Sequence, residues 1–576
     1  MKKRRILAVL LALVLVAGTL AACNRDEGAG TTASSPPSPS SSSSPSPSQG
    51  ASPSAGSTET PYVPEEDLVG YTLPLSTTGE TLRIATNIPG VPGMTYDEEM
   101  PIWAAIADYT GISVVWETIP NSEYNSIMSV RLAAGSDLPD ICRLPEPWMQ
   151  YAESGLAIPL NNLIDKYAFN MLDHFAKYPR VRGLMTAPDG EIYGINMRQS
   201  PDLPYGTNPV GIQVRQDWLA DLGISEPTNL DEFTDMLRAF KTYDPFGDGS
   251  IKVIPFATHY PGMRVAVSFI GWAYGFHLFS DSIAGFYPNA NGDIEYELTS
   301  PRFKELLTLF NNWWKEDLLD PNFMHFDNQQ FTAIVANSEV GAYQNRVMNG
   351  ANAYNTGLKE STGNPDAGFL PLLPLKGPYG DQFNENDHTP VTPGVLFAIM
   401  STSQKQELAL QFIDFVTYSP IGMELNAYGF EGVHWEWKDG ERVITEEYAN
   451  HPDGMMNAMR KDGMGFREEF PGMQLDNAIM QLKLRGEPLY TRVMTIVDMC
   501  PPFLQMPIAT VDESEELGLY MSDLGTFVDE MIIAFITGTR PLDEFDSFVD
   551  SLYRQFNVQR VIEIKQQQYD RIRTDR

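Results

Sequence analysis

The chain has 576 residues, of which 43% are hydrophobic and 11% aromatic, and its formal net charge is −35. This length can bury a large core and predicts at least two domains. The strong negative charge argues against nucleic acid and against an anionic membrane surface as partners. We interpret the charge as a solubility feature outside the cell; a role in selecting ligands is the alternative.

The three cysteines, Cys23, Cys142 and Cys500, show no CxxC or Cys/His spacing and therefore do not form a metal set. A disulfide between Cys142 and Cys500 is one interpretation for a protein outside the cell. Two separate buried thiols are the other.

The first 22 residues have the pattern of a secretion signal, with a basic start (MKKRR), an apolar run and small residues at the end. Leu20-Ala21-Ala22-Cys23 resembles the lipobox of bacterial lipoproteins. The resemblance implies cleavage before Cys23 and a diacylglycerol on its sulfur, which would anchor the chain to the cell membrane on its extracellular side. The alternatives are a single spanning helix and a cleaved, soluble product.

Residues 23–67 read as a tether rather than as part of a folded domain. Nineteen of the 30 residues 31–60 are Ser or Pro, so this stretch cannot form a core. At roughly 3.1 Å per residue in an extended polyproline form, it would reach on the order of 90 Å. Such a spacer suits a domain held away from a membrane.

Strand and helix patterns alternate at the start of the folded part. The strand TLRIATN precedes a helix that ends at Thr110-Gly111, and the strand ISVVWETI precedes a helix that ends at Gly135. The buried strand LPDICRL follows. This order predicts a parallel sheet with helical crossovers, whose ligands sit beyond the carboxyl ends of the strands.

The stretch 189–223 is predicted to cross between two lobes. An alternating strand over residues 192–197 is followed by Pro201, Pro204 and Pro209, which interrupt regular structure. A second strand begins near Val210 and leads into a helix. We expect the ligand to lie beside this crossing.

Two motifs connect the chain to a known family. One is IQVRQDWLADLGISEPTNLDEF, with Arg215, Asp217, Trp218 and Gly223, and the other is GFEGVHW at residues 429–435. Together with the preceding strand pattern, they resemble the extracellular solute-binding proteins of family 1, which are maltose-binding-protein-like lipoproteins serving ABC importers of carbohydrates. The resemblance covers residues ~80–440.

This resemblance implies an α/β fold of the type II periplasmic-binding-protein class, with two lobes, crossover hinge strands and a ligand cleft between them. We expect the first lobe to contain residues 68–198 and 368–419, and the second to contain residues 205–366 and 425–576. The implied partners are a carbohydrate, the permease subunits of an ABC transporter and the membrane through the lipid anchor. We expect a monomer that binds no nucleic acid.

Sugar binding uses flat apolar faces for ring surfaces and charged or amide groups for hydroxyls. Loops at strand ends and the segments resembling the family supply such groups. The candidate ligand-binding residues are Asn87, Glu146, Trp148, Arg198, Tyr343, Asn345, Arg346, Glu431, His434 and Trp435. For each of them, an exposed loop position or a packing role is the alternative.

One loop resembles a degraded calcium loop, and we expect no other cofactor. Asp244, Asp248 and Ser250 match three of its ligand positions, whereas Phe246 and Lys252 replace two others. A glycine-rich turn without calcium is the alternative interpretation.

No HExxH, GxSxG, P-loop or GxGxxG motif in the right context is present, so we expect a binding protein and not an enzyme. Two alternatives stay open. One is a binding protein for a non-sugar solute such as a peptide or a small metabolite, and the other is a secreted glycan hydrolase using a carboxylate pair.

Overall fold

The computed structural model describes residues 72–88, 96–97, 99–196, 200, 209–258, 263–278, 285–323, 328–385, 391, 396–464, 470–472, 489–501 and 504–573. All of them belong to one structural unit, Thr60–Arg576. The predicted signal, the whole of the predicted tether with Cys23, and Arg198 lie outside the described residues. No helix in the described part of the chain is long and apolar enough to cross a membrane.

The described strands form two four-stranded sheets and two hairpins. In chain order they are β1 (Glu80–Ile88), β2 (Ile112–Pro120), β3 (Ile141–Leu144), β4 (Val210–Arg215), β5 (Ile254–Ala257), β6 (Phe286–Pro288), β7 (Ile294–Tyr296), β8 (Val340–Arg346), β9 (Phe369–Pro371), β10 (Leu396–Ile399), β11 (Trp435–Lys438) and β12 (Glu441–Ile444).

The described α-helices surround these sheets. They are α1 (Pro101–Thr110), α2 (Asn121–Ala134), α3 (Met149–Glu153), α4 (Asn161–Tyr167), α5 (Phe169–Lys177), α6 (Pro179–Met185), α7 (Gln216–Leu222), α8 (Leu230–Thr242), α9 (Met263–Gly271), α10 (Pro301–Lys315), α11 (Asn328–Ala336), α12 (Val347–Thr362), α13 (Gln406–Tyr418), α14 (Pro420–Tyr428), α15 (Glu446–Ala449), α16 (Met455–Lys461), α17 (Leu489–Asp498), α18 (Val511–Thr537), α19 (Phe545–Gln555) and α20 (Val558–Arg573).

The first lobe is built on the sheet of order β10-β3-β1-β2, in which β1, β2 and β3 are parallel and β10 is antiparallel to β3. The helices α1 and α2 make the two crossovers, as the sequence pattern predicts. They end at Gly111 and Gly135, whose φ values of 68° and 61° suit glycine. The carboxyl ends of β1, β2 and β3 therefore meet at one edge of the sheet.

A buried carboxylate ties two helices of this lobe together. Asp414 of α13 is fully buried and accepts hydrogen bonds from Asn170 N at 3.3 Å, Asn170 Nδ2 at 2.7 Å and Met171 N at 2.7 Å. These backbone N–H groups belong to the first turn of α5 and have no acceptor within that helix. Asp414 thus caps a neighbouring helix.

The second lobe is built on the sheet of order β5-β8-β4-β9, where β8 is parallel to β5 and antiparallel to β4. The motif that resembles the family has a packing role here. The guanidinium of the buried Arg215 donates to both carboxylate oxygens of Asp217, at 2.8 and 2.6 Å, and to Ser338 Oγ at 2.8 Å. It also lies 4.5 Å from the ring of Trp218. Arg215 and Asp217 therefore stabilise the lobe.

The lobes differ in two places from the division expected from sequence. Tyr428, Trp435, Met464 and Phe470 belong to the core of the first lobe, although residues 425–576 were all expected in the second. Conversely, β9 pairs with β4 in the sheet of the second lobe, although residues 368–419 were expected in the first. The physical reason is that an amphipathic segment can bury its apolar face in either of two cores, and its own pattern does not indicate which.

Within residues 192–196, the described part of the strand predicted over 192–197, the pairing is a single bridge between Ile195 and Phe397. Gly194, which precedes Ile195, lies so close to β10 that a Cβ on it would be 2.6 Å from Phe397 O. A side chain at this position would therefore clash with the strand. A hairpin turn at Asp439-Gly440 joins β11 and β12, with positive φ at both turn residues.

Candidate functional site

A pocket of about 250 Å³ lies between the first lobe and the C-terminal part of the chain. Its first wall contains the loop after β3, with Glu146 and Trp148, together with Leu184, Asn196 and Leu396. Its second wall contains residues 505–509, the start of α18, and Lys565 and Gln568 of α20. The pocket is therefore at the edge of the first sheet where ligands of α/β proteins are expected.

Trp148 is positioned by the turn that follows β3 and by the start of α3. Its side chain is buried in a cluster with Leu144, Met149 and Tyr151 and also lines the pocket. An indole held in this way can present an apolar surface and an N–H group to a ligand.

Glu146 is accessible at the rim of the same pocket. Partial desolvation raises the pKa of its carboxyl, against the opposing effects of a hydrogen bond from the Trp148 backbone and of the Arg143 charge. Glu146 can therefore accept hydrogen bonds from a ligand at the entrance.

The segment of residues 504–511, which we call the strap, forms the opposite wall and contacts both lobes. Leu504 and Met506 pack against the core of the second lobe, whereas Ile508 and Val511 pack against the cluster that contains Trp148. Arg571 of α20 donates to Ile508 O at 3.0 Å. Any change in the angle between the lobes therefore has to rearrange these contacts.

The second wall carries three buried polar side chains, Gln505, Lys565 and Gln568, with exposures of 6%, 9% and 2%. Removal from water lowers the pKa of Lys565 to about 8, and the charge of Glu513 opposes this shift. Buried polar groups in a concave site fix the orientation of a ligand. These three residues were missed from sequence; a lysine on the apolar face of α20, next to Ile564, is the signal that could have indicated the site.

Asn87, at the carboxyl end of β1, is buried and donates through Nδ2 to Asn121 Oδ1 at 2.9 Å. Its Oδ1 atom has no hydrogen-bond partner among the described residues. A buried acceptor without a partner is uncommon and suits a ligand or water donor. Asn87 therefore lies at the expected sheet edge with an acceptor to offer.

Asn345 and Arg346 lie at the carboxyl end of β8, next to Val210 where the chain enters the second lobe. Asn345 is buried and its Oδ1 accepts from Arg346 N at 2.7 Å. Because β5 and β8 are parallel, their carboxyl ends meet at this edge of the second sheet. This edge is the second lobe's counterpart of the edge that carries Asn87.

Three other predicted ligand residues have almost no accessible surface. Tyr343 is in a core cluster of the second lobe. His434 accepts from Phe430 N at 2.9 Å through Nδ1, and its Nε2 lies 3.2 Å from Asp462 Oδ2. Trp435 belongs to the core of the first lobe.

The surroundings of these side chains point to structural roles. The Trp435 indole donates to Gly429 O at 3.1 Å, and the Arg442 guanidinium covers its ring at 3.6 Å. Glu431, in contrast, is exposed in the turn before β11.

The acidic groups of the candidate calcium loop bind backbone N–H groups of the loop itself. Asp244 accepts from Gly247 N at 3.0 Å and from Gly249 N at 2.8 Å, and Asp248 accepts from Ser250 N at 2.9 Å. Within the described residues, no group of three or more His, Cys, Asp or Glu side chains is arranged to hold a metal ion. This geometry corresponds to the turn interpretation of the loop.

Cys142 and Cys500 are both free thiols, so the disulfide interpretation is wrong. Burial raises the pKa of each thiol to about 12. Neither cysteine is therefore a reactive group at neutral pH.

Two α/β lobes joined by repeated crossings of the chain, with a pocket at the strand ends of the first lobe, define a solute-binding protein of the type II class. The model of the bacterial extracellular solute-binding protein family matches residues 97–419, which is more than half of the chain. The chain therefore belongs to this family, and the fold and family expected from sequence are confirmed.

Individual relatives are distant. The fructooligosaccharide ABC transporter substrate-binding protein FusA of Streptococcus pneumoniae serotype 4 is 27% identical over 390 residues, covering 66% of this chain and 68% of FusA. The polygalacturonan/rhamnogalacturonan-binding protein YtcQ of Bacillus subtilis strain 168 is 22% identical over 392 residues, covering 66% and 70%. The crystal structure of the alginate-binding protein AlgQ2 without calcium ion has a TM-score of 0.66 at 23% identity, covering 87% of this chain and all of that one.

Proposed function

We propose that this protein captures a carbohydrate outside the cell and delivers it to the permease of an ABC importer, acting as a monomer and without catalysis. The observation that carries the proposal is the pocket that is lined by Trp148 and by the buried Gln505, Lys565 and Gln568. This combination of an aromatic surface and hydrogen-bonding groups suits a sugar. The sugar-binding relatives FusA and YtcQ support the same ligand class.

Capture would proceed by hinge closure of the two lobes. The pocket walls come from the first lobe and from segments packed on the second, so a ligand that touches both walls binds the closed arrangement more tightly. Closure is driven only by this difference in affinity. The strap would move with the second lobe and complete the wall.

The N-terminal sequence supports lipid anchoring as part of the proposal. Cleavage before Cys23 and its acylation would leave the Ser/Pro-rich tether between the lipid and the folded lobes. Replacing Cys23 with Ser is expected to release the protein from the membrane fraction into the medium. Retention of the variant in the membrane fraction would refute the anchor.

The binding proposal is tested with a thermal-shift and calorimetric screen of residues 23–576 carrying Cys23→Ser, against neutral and acidic oligosaccharides, peptides and small metabolites. A ligand at 100 times its Kd adds about 2.7 kcal/mol of stability. Trp148→Ala is expected to weaken sugar binding at least about tenfold. Trp437→Ala, at a tryptophan that is 55% exposed outside the pocket, is the matched control.

Two outcomes would contradict the proposal. Binding of peptides or other solutes, with no thermal shift for any sugar, would refute carbohydrate as the ligand class. Chromatographic detection of shortened glycan after incubation would indicate a hydrolase.

A further inference from the structure

The buried part of the first pocket wall is mostly apolar. Its buried apolar side chains, each no more than 8% exposed, are Trp148, Met149, Leu184 and Leu396. Among the described residues of this wall, Asn196 is the buried polar side chain, and Glu146 lies at the accessible rim. A ligand group that reaches this wall therefore meets mainly carbon and sulfur atoms.

The shape of this wall differs from that of a platform for sugar rings. Trp148 is the one aromatic side chain that lines the pocket within the described part of the chain. A ring face packs on a flat aromatic surface. Branched side chains such as Leu184 and Leu396 and the flexible Met149 instead close around small protruding groups. The wall thus suits an alkyl substituent on a sugar ring that stacks on Trp148.

The opposite wall limits the ligand in size and gives it a direction. Met506 and Ile508 of the strap line the pocket from that side, and Gln568, 2% exposed, brings a buried amide to it. The hydroxylated edge of a ring therefore has a polar group to face when its alkyl edge lies against Leu184 and Leu396. The volume of about 250 Å³ is below the roughly 300–1,000 Å³ of pockets that hold drug-sized molecules, so it suits a single sugar unit.

The apolar wall distinguishes a methyl group from a hydroxymethyl group. A hydroxyl pressed against Met149, Leu184 and Leu396 exchanges water for carbon and sulfur neighbours, which costs free energy. A methyl group in the same place gains free energy by leaving water. Both effects favour the sugar that lacks the hydroxyl.

We propose that the pocket takes a deoxy sugar unit, with the methyl group of a 6-deoxyhexose lying against Met149, Leu184 and Leu396. The inference rests on the proposed function and adds the chemical class of the ligand. These three side chains then determine the preference for 6-deoxyhexoses over the corresponding hexoses, while Trp148 contributes to the binding of both.

The test uses pairs of sugars that differ only by the hydroxyl at carbon 6. The probes are the methyl glycosides of D-fucose and D-galactose, of L-fucose and L-galactose, and of L-rhamnose and L-mannose. Dissociation constants are measured by calorimetry for residues 23–576 carrying Cys23→Ser. In the pair whose stereochemistry fits the pocket, the 6-deoxy form is expected to bind at least about tenfold more tightly.

Two results would overturn the inference while leaving the proposed function intact. One is equal binding, or tighter binding of the hydroxylated sugar, in every pair that binds. The other is binding of other sugars but of none of these six. Failure of every sugar to bind would refute the proposed function as well.

Variants assign the preference to the apolar wall. Met149→Gln keeps the length of the side chain and adds an amide, so it is expected to reduce the difference within the pair at least about threefold, whereas Met149→Leu retains it. Leu184→Asn is expected to act as Met149→Gln does, from a different helix. Leu519→Asn, at a leucine of α18 that is 73% exposed and outside the pocket, is the matched control.

Melting temperatures identify any variant that does not fold, and Met149→Gln decides if Leu184→Asn is unfolded. An unchanged preference in the folded variants would overturn the role of this wall. The same reduction in Leu519→Asn would also overturn it, because that side chain does not line the pocket.

Discussion

The ion pair that holds the strap in place can be tested by a single substitution, Glu513→Gln. Glutamine can still accept the hydrogen bond from Thr510 N, found at 2.9 Å, so the capping box at the start of α18 is kept. The substitution removes the negative charge that faces Arg571. The Arg571 side chain is 31% exposed and the Glu513 side chain is 11% exposed. Hydrogen bonds between charged groups contribute about 1.5–3 kcal/mol, so we expect a loss of about 2 kcal/mol in the free energy of unfolding.

The same substitution predicts a pH dependence. Burial alone would raise the pKa of Glu513, but hydrogen bonds from Arg571 and Thr510 and the Arg571 charge bring it below the ordinary value of 4.5. A carboxyl whose pKa is lower in the folded state stabilises the protein above the unfolded-state pKa. This stabilisation is lost as the pH falls through the folded-state pKa. The difference between the wild-type chain and Glu513→Gln should therefore shrink below about pH 4.5.

The assay is urea unfolding of residues 23–576 carrying Cys23→Ser, followed by tryptophan fluorescence at pH 7 and at lower pH. Glu515→Gln is the matched control, because Glu515 is an exposed glutamate on the same helix. If both variants have the same stability at pH 7, or if the loss in Glu513→Gln does not decrease with pH, the ion pair does not hold the strap. The strap would then depend on its apolar contacts alone.

Three further predictions concern the cores. Asp414→Asn should lower the free energy of unfolding in urea by about 2 kcal/mol, because an amide cannot accept all the hydrogen bonds that the carboxylate accepts. Asp173→Asn, at an exposed aspartate, is the control. Equal stability of the two variants would contradict the prediction. Gly194→Ala should lower the free energy of unfolding by about 1–3 kcal/mol in the same assay, since the new Cβ would lie 2.6 Å from Phe397 O. An unchanged stability would show that β10 can shift to make room. The Cys142 thiol, with a pKa raised to about 12, should react with a disulfide reagent only after unfolding; rapid native labelling would refute its burial.

The secondary structure of the first lobe follows from local patterns. Alternating strands, helical periodicity and the helix-terminating Gly111 and Gly135 act over a few residues, so they are readable in the sequence and reappear in β1–β3 and their crossovers. The turn at Asp439-Gly440 is another local feature, since both residues tolerate positive φ.

Predictions that depended on which surface an element meets were less accurate. Trp435 was a candidate ligand-binding residue, and Trp437 lies two positions further along β11. The structure buries Trp435 under Arg442 and leaves Trp437 exposed, although side chains two positions apart on a strand share a face, because the part of the hairpin near its turn extends beyond the core. Likewise, Lys565 and Trp148 are 417 positions apart and meet only because α20 and the loop after β3 enclose one pocket.

The sequence alone therefore determined the family, the two-lobed α/β class and the order of the local elements, because these depend on motifs and on periodicity within short windows. Tertiary structure decided which lobe buries Tyr428, Trp435, Met464 and Phe470, how the strap joins the lobes, and which side chains line the pocket. Those features arise from contacts between segments far apart in the chain. No local pattern specifies such a contact, since many amphipathic segments compete for each buried surface.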